Sequence, residues 1–287
     1  MAEDLKKPEG SVVSLKDLYF RYSSEKGNSD VLQDINLSIG EGEFICVLGP
    51  SGCGKSTLLK ILAGFIKPSS GEALMEGEAI DGPDYHKGVV FQNPVLYPWL
   101  NVEDNIGFGL KMRKFPKSEI EALTKKHLEL VGLTGYEKYK PYELSGGMKQ
   151  RVSLARTLVN KPGLVLMDEP FGALDAFTRS NMQKLIRTIW SKTSNTVLMI
   201  THDVDEALEL ATRIIILSHR PGTIIKDFNT SYTYDIIENN NENIRYSEQY
   251  INDREEILRI INSQNDFFFF FITSKGLAVL LEKGVQT

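Results

Sequence analysis

Three short stretches place residues at spacings that could act on a phosphorylated ligand. The first is Gly49-Pro50-Ser51-Gly52-Cys53-Gly54-Lys55-Ser56-Thr57, which fits the G-x-x-x-x-G-K-[ST] pattern of a phosphate-binding loop. Its glycines let successive backbone N–H groups turn inward around an anion, a path that Cβ atoms would obstruct. Lys55 can reach the β- and γ-phosphates of a nucleotide, and the Ser56 hydroxyl can ligate Mg²⁺. The second is Asp168-Glu169, two carboxylates at the end of the apolar run Leu164-Val165-Leu166-Met167. The first acid suits a Mg²⁺ shell, and the second can orient and deprotonate a water in line with a γ-phosphate. The third is Leu144-Ser145-Gly146-Gly147-Met148. Ser145 suits a helix N-cap, and two consecutive glycines leave that helix end open to an anion.

Particular elements must hold these groups in place. Residues 44–48 are uninterrupted apolar sequence and read as a buried strand, with helical spacing from 58 to 63 after the loop. Residues 87–91, 164–167 and 197–201 read as further buried strands. Between the last two runs, Met182, Leu185, Ile186 and Ile189 form one face of a helix. Residues 213–217 and 223–228 read as a hairpin turning at His219-Arg220-Pro221-Gly222. Ahead of the loop, residues 11–22 and 31–39 alternate apolar and polar side chains around a polar loop at 23–30, which predicts antiparallel strands. Residues 72–76 extend that sheet. Ser118, with Glu121 three residues on, predicts a capped helix, and another starts near Ser145. The expected fold is α/β. It has a mainly parallel core sheet, an N-terminal antiparallel β subdomain, and a helical subdomain inserted at about 93–158. The Asn-, Tyr- and Glu-rich sequence after 229 suggests a cassette over 1–229 and a C-terminal extension over 230–287.

Composition sets bounds. The 287 residues are 41% hydrophobic and 25% charged, with a net charge of −5, so no global charge recruits nucleic acid. The two cysteines, Cys46 and Cys53, suit neither a disulfide framework nor a zinc site and fit a reducing cytosol. The N-terminal residues lack the apolar core of a signal peptide. Residues 267–272, FFFFFI, are too short a run to span a membrane, which takes about 20 apolar residues. They read as a buried terminal element or as low-complexity sequence, the sharper alternative being a docking segment.

At LSGGM the chain resembles the ATP-binding subunits of ABC transporters, over roughly residues 11–228. Six motifs stand in that family's order: residues 49–56, Gln92, residues 144–148, residues 164–168 with Glu169, Ala173-Leu174-Asp175, and His202 after Thr201. Val90 to Ile106 (VFQNPVLYPWLNVEDNI), LSGGMKQRV and SHRPG are similar to importer ATPases of the nitrate, sulfonate and taurine group. The resemblance implies that Tyr22 stacks on adenine. It implies that residues 49 and 51–57 (Gly49, Ser51, Gly52, Cys53, Gly54, Lys55, Ser56, Thr57) hold ATP, and that Ser56, Gln92 and Asp168 serve Mg²⁺. Glu169 is then the general base, assisted by Gln92, Lys55 and His202. Ser145, Gly146 and Gly147 would complete the site of a second copy, so the expected active form is a homodimer.

The same resemblance implies a peripheral protein at the cytoplasmic face of the membrane, bound to integral permease subunits and, through them, served by a substrate-binding protein. Leu96, Tyr97, Trp99 and Leu100 are the expected permease contacts, with core packing as their plainer role. Met148 stands where many members have glutamine, as it does in the importer group named above. The rival reading is a soluble ATPase of the same type, acting as a nucleotide-dependent interaction module without a membrane partner. A P-loop kinase is disfavoured by LSGGM and His202.

Overall fold

The computed structural model describes residues 11–24, 27–239, 241 and 243–264. The chain opens on a long antiparallel hairpin, β1 (Ser11–Ser24) and β2 (Gly27–Gly40). β3 (Phe44–Leu48) then delivers the phosphate-loop sequence into α1 (Lys55–Leu62). β4 (Ser70–Met75), β5 (Glu78–Ala79) and β6 (Lys87–Val90) follow. A helical stretch comprises α2 (Val102–Met112), α3 (Lys117–Leu130) and α4 (Gly146–Leu158). The chain then returns through β7 (Leu164–Asp168), α5 (Ala176–Thr193), β8 (Thr196–Ile200), α6 (Val204–Leu210), β9 (Arg213–Leu217) and β10 (Ile224–Asn229). It ends in α7 (Tyr232–Asn239) and a last helix, α8, over 248–264.

Two sheets result, ordered β2-β1-β4-β5 and β10-β9-β3-β8-β7-β6. In the second, the pairs among β9, β3, β8, β7 and β6 are all parallel, and only β10 runs antiparallel. Both faces of this sheet are covered, which is why its strands read as continuous apolar runs. Alternate residues of β3 go to opposite layers. Phe44, Cys46 and Leu48 join α4, α5 and α6, whereas Ile45 and Val47 pack with α1 and the antiparallel sheet. β7, β8 and β9 divide in the same way.

The elements depart from expectation in three places. β1 and β2 extend through most of the polar stretch expected as a loop, because cross-strand pairs continue from Phe20–Leu32 to Ser24–Gly27. α3 starts at Lys117 behind Pro116, so Ser118 lies inside the first turn and caps nothing; the fixed φ of proline sets the entry instead. α2 was not anticipated. Asn101 caps it by accepting a hydrogen bond from the Asp104 N–H at 2.7 Å.

After residue 229 the chain stays on the cassette. Tyr232, Ile236, Ile244, Tyr250 and Ile257 belong to the same apolar cluster as Phe44 and Val165. Polar contacts tie this segment to α6: Tyr250 Oη donates to Asp205 Oδ1 at 3.0 Å, Arg254 Nε donates to the same oxygen at 2.9 Å, and Arg245 pairs with Glu209. The phenylalanine run at 267–271 lies outside the described residues. Among the described residues, no helix is long and apolar enough to cross a membrane.

Candidate functional site

The strand order explains how distant residues meet. β3, β8, β7 and β6 are consecutive and parallel, so their C-terminal ends open on one edge, where ligands of open α/β sheets bind. β3 delivers residues 49–57, β8 delivers Thr201 and His202, β7 delivers Asp168 and Glu169, and β6 delivers Gln92. A cavity of about 460 Å³ lies on that edge, lined by Tyr22, Gly49, Ser51, Gly52, Gly54, Lys55, Ser56, Thr57, Glu169 and His202, together with Val31 and Arg220.

The loop is built for close backbone approach. Gly54 sits at φ +108°, and a Cβ there would stand 2.6 Å from Leu32 Cδ2. Only glycine serves at that position. The Lys55 ammonium donates to the carbonyls of Gly49 at 2.7 Å and Pro50 at 2.9 Å. Lys55 is only 9% exposed, so it is an oriented cation beneath the cavity. Cys53 keeps its side chain buried, out of the cavity, and burial pushes its thiol pKa up. It serves the loop through its backbone.

Glu169 joins the catalytic candidates. Its Oε2 lies 3.4 Å from Gln92 Nε2 and 3.4 Å from His202 Nδ1. Glu169 adopts φ +45°, a left-handed conformation uncommon for glutamate, while its N–H still donates to Ile200 O at 3.0 Å. The chain therefore turns sharply just after Asp168, which gives the two adjacent carboxylates different surroundings. Asp168 Oδ1 accepts from Ser56 Oγ at 3.4 Å. Burial, and then the charge of Glu169, raise the Asp168 pKa above the ordinary carboxyl value. A half-buried carboxylate beside a P-loop hydroxyl is an all-oxygen donor set that fits a hard divalent cation.

Ser145, Gly146 and Gly147 are not brought to this cavity. Ser145 caps α4 as expected, accepting from the Met148 N–H at 3.3 Å. Gly146 has no neighbour within 4 Å of where a Cβ would stand, while a Cβ on Gly147 would meet Thr178 Cγ2 at 2.4 Å. The first glycine keeps the helix end open, and the second lets α5 lie against it. Asp175 caps α5 through the N–H groups of Phe177 and Thr178 at 3.1 and 3.0 Å.

The segment carrying Leu96, Tyr97, Trp99 and Leu100 divides. Leu96 packs against the core, and the Tyr97 ring lies 4.4 Å from that of Phe108. Trp99 is 69% exposed, and Val95 in the same stretch 61%. The segment is clamped from beneath by Asn105, which is fully buried. Its Oδ1 accepts from the Tyr97 N–H at 2.8 Å, and its Nδ2 faces the carbonyls of Asn101 at 2.9 Å, Tyr97 at 3.1 Å and Leu100 at 3.3 Å. Asn105 and Arg220 are the residues that sequence reasoning missed. Both lie in stretches quoted above for their family likeness, VFQNPVLYPWLNVEDNI and SHRPG, but that likeness assigns neither side chain a role.

The comparisons agree with this geometry. The ABC transporter family pattern matches residues 32–172. The taurine import ATP-binding protein TauB of Pelagibacter ubique is 44% identical over 86% of this chain and 93% of its own length. The protein of the same name from Escherichia coli K12 is 42% identical over 90% of this chain and 100% of its own. A solved dimeric ATP-binding cassette, in a post-hydrolysis state bound to ADP and Pi, superposes with a TM-score of 0.68 at 31% identity. It covers 76% of this chain and 99% of that one. Motif order, strand topology and these likenesses together place the chain in the ABC transporter family.

Proposed function

We propose that the chain is the ATP-hydrolysing subunit that powers a binding-protein-dependent ABC importer for a small sulfonate such as taurine, or a related anion such as an alkanesulfonate or nitrate. The carrying observation is Glu169, held within 3.4 Å of both Gln92 and His202 at the wall of the P-loop cavity. Glu169 takes the proton of the attacking water, and His202 hydrogen-bonds the γ-phosphate. Lys55 and the amides of residues 49–57 bind the phosphates, and Tyr22, 44% exposed at the cavity wall, stacks on adenine. Ser56, Asp168 and Gln92 would hold Mg²⁺, which neutralises charge between the β- and γ-phosphates when bound.

Ser145, Gly146 and Gly147 stand away from the cavity at an open helix end, which suits contact with the nucleotide of a second copy. The active form is then a homodimer with two composite sites. Trp99 and Val95 offer an exposed apolar face to the integral permease subunits, and Gln92 couples that face to nucleotide state. The cargo class rests on the taurine-import relatives, and the protein sits at the membrane as a peripheral subunit.

The test is steady-state hydrolysis of Mg²⁺-ATP by the purified protein and its Glu169→Gln variant. Turnover should fall by at least about 100-fold, the scale of a lost general base. Retained hydrolysis removes Glu169 from that role.

A further inference from the structure

The cavity has a wall that none of the six motifs supplies. Arg220 lines it with Tyr22 and Val31, although 198 residues separate Arg220 from Tyr22 in sequence. Backbone pairing fixes the turn that carries it: Gly222 N–H donates to Val31 O at 2.8 Å, and Gln33 N–H donates to Gly222 O at 2.9 Å. The turn is therefore docked on β2 beside the P-loop, independently of the arginine side chain.

Arg220 Nε donates to the Asp30 carbonyl at 2.9 Å. Asp30 pairs across the hairpin with Arg21, the residue before Tyr22. This places the guanidinium at the Tyr22 end of the cavity. Its terminal amino groups have no hydrogen-bond partner among the described residues. A planar, permanently charged group in that position can stack on a purine and donate to ribose hydroxyls, whereas a lysine ammonium lacks the plane for it.

We infer that Arg220 is a nucleotide-binding residue that grips the nucleoside part of ATP, opposite in the cavity to the phosphate-binding Lys55. The inference rests on the ATP reading above. Isothermal titration calorimetry of ATP with the full chain, Arg220→Ala and Arg220→Lys tests it. Loss of a stacked or charge-assisted contact corresponds to roughly tenfold weaker binding. Both variants should show it, because the contact needs the guanidinium plane. An alanine variant that binds ATP as tightly as wild type overturns the inference. So does a lysine variant whose affinity lies closer to wild type than to alanine, since that would make Arg220 a point charge for phosphate. A nucleotide-free Tm lowered in both variants by more than about 5 °C would also overturn it, assigning Arg220 to holding the turn. Absence of ATP binding by the wild-type chain would instead sink the ATP reading itself.

Discussion

Asn105→Ala separates folding of the segment at 96–100, proposed above to meet the permease, from the chemistry of the cleft. Asn105 offers one acceptor, used by the Tyr97 N–H, and two amide protons shared among three carbonyls. Two protons cannot fully satisfy three acceptors, so the side chain supplies about three bonds' worth of stabilisation. At about 1 kcal/mol each, with the orphaned groups buried, the substitution should cost about 3 kcal/mol. For a domain of this size that corresponds to a Tm lower by about 6–12 °C. Thermal melts followed by circular dichroism and by tryptophan emission would read it, since Trp99 sits on the freed segment. ATP hydrolysis by the folded variant at low temperature should stay within about threefold of wild type, because Asn105 is not in the cavity wall. Uptake by the reconstituted transporter should fall. A loss below about 1 kcal/mol, or hydrolysis abolished with the fold intact, would refute the clamp.

Asp168→Asn and Gly54→Ala probe the cleft itself. The Asp168 pKa is raised in the folded state, so between the ordinary carboxyl value and the raised one the folded protein holds a proton that the unfolded chain has released. Wild-type stability therefore falls as pH rises from the ordinary carboxyl value through the raised one. In metal chelator without nucleotide, Asp168→Asn should melt higher than wild type at neutral pH. The gap should close under acid, and Mg²⁺-ATP should stabilise the variant far less; a variant less stable at neutral pH contradicts the assignment. Gly54→Ala puts a Cβ 2.6 Å from Leu32 at φ +108°, so it should cost about 1–3 kcal/mol and remove detectable ATP binding by calorimetry. Wild-type affinity would show that the loop relaxes freely.

Much of this was legible because local and global signals coincide. β3, β7 and β8 are apolar throughout since both sheet faces are covered, and Ser145 caps the helix its sequence promised. The P-loop and the Asp168-Glu169 pair follow directly from those strand ends. α2 escaped because Asn105, Gly107 and Gly109 look like helix breakers. In the structure they are packing devices: a Cβ on Gly107 would lie 2.9 Å from Ile120, and one on Gly109 would lie 2.5 Å from Asn160. Tertiary contact overrides propensity there. Tyr232, Tyr250 and Ile257 were hidden in a polar composition, although Tyr232 with Ile236, and Tyr250 with Ile257, face the core at helical spacing. Arg220 stood within the family-like SHRPG stretch, but nothing in the sequence placed it at the cavity, since only the pairing of Gly222 with Val31 brings it there.

In the proposed function one chain holds half a site, with the phosphate loop on one copy and residues 145–147 on another. Light scattering after size exclusion of Glu169→Gln, with and without Mg²⁺-ATP, tests this most directly. ATP should convert the 32.3 kDa monomer to a species of twice that mass, and Ser145→Arg added to the same variant should abolish the conversion. A Glu169→Gln protein that binds ATP yet stays monomeric, or a dimer indifferent to Ser145→Arg, would contradict the account.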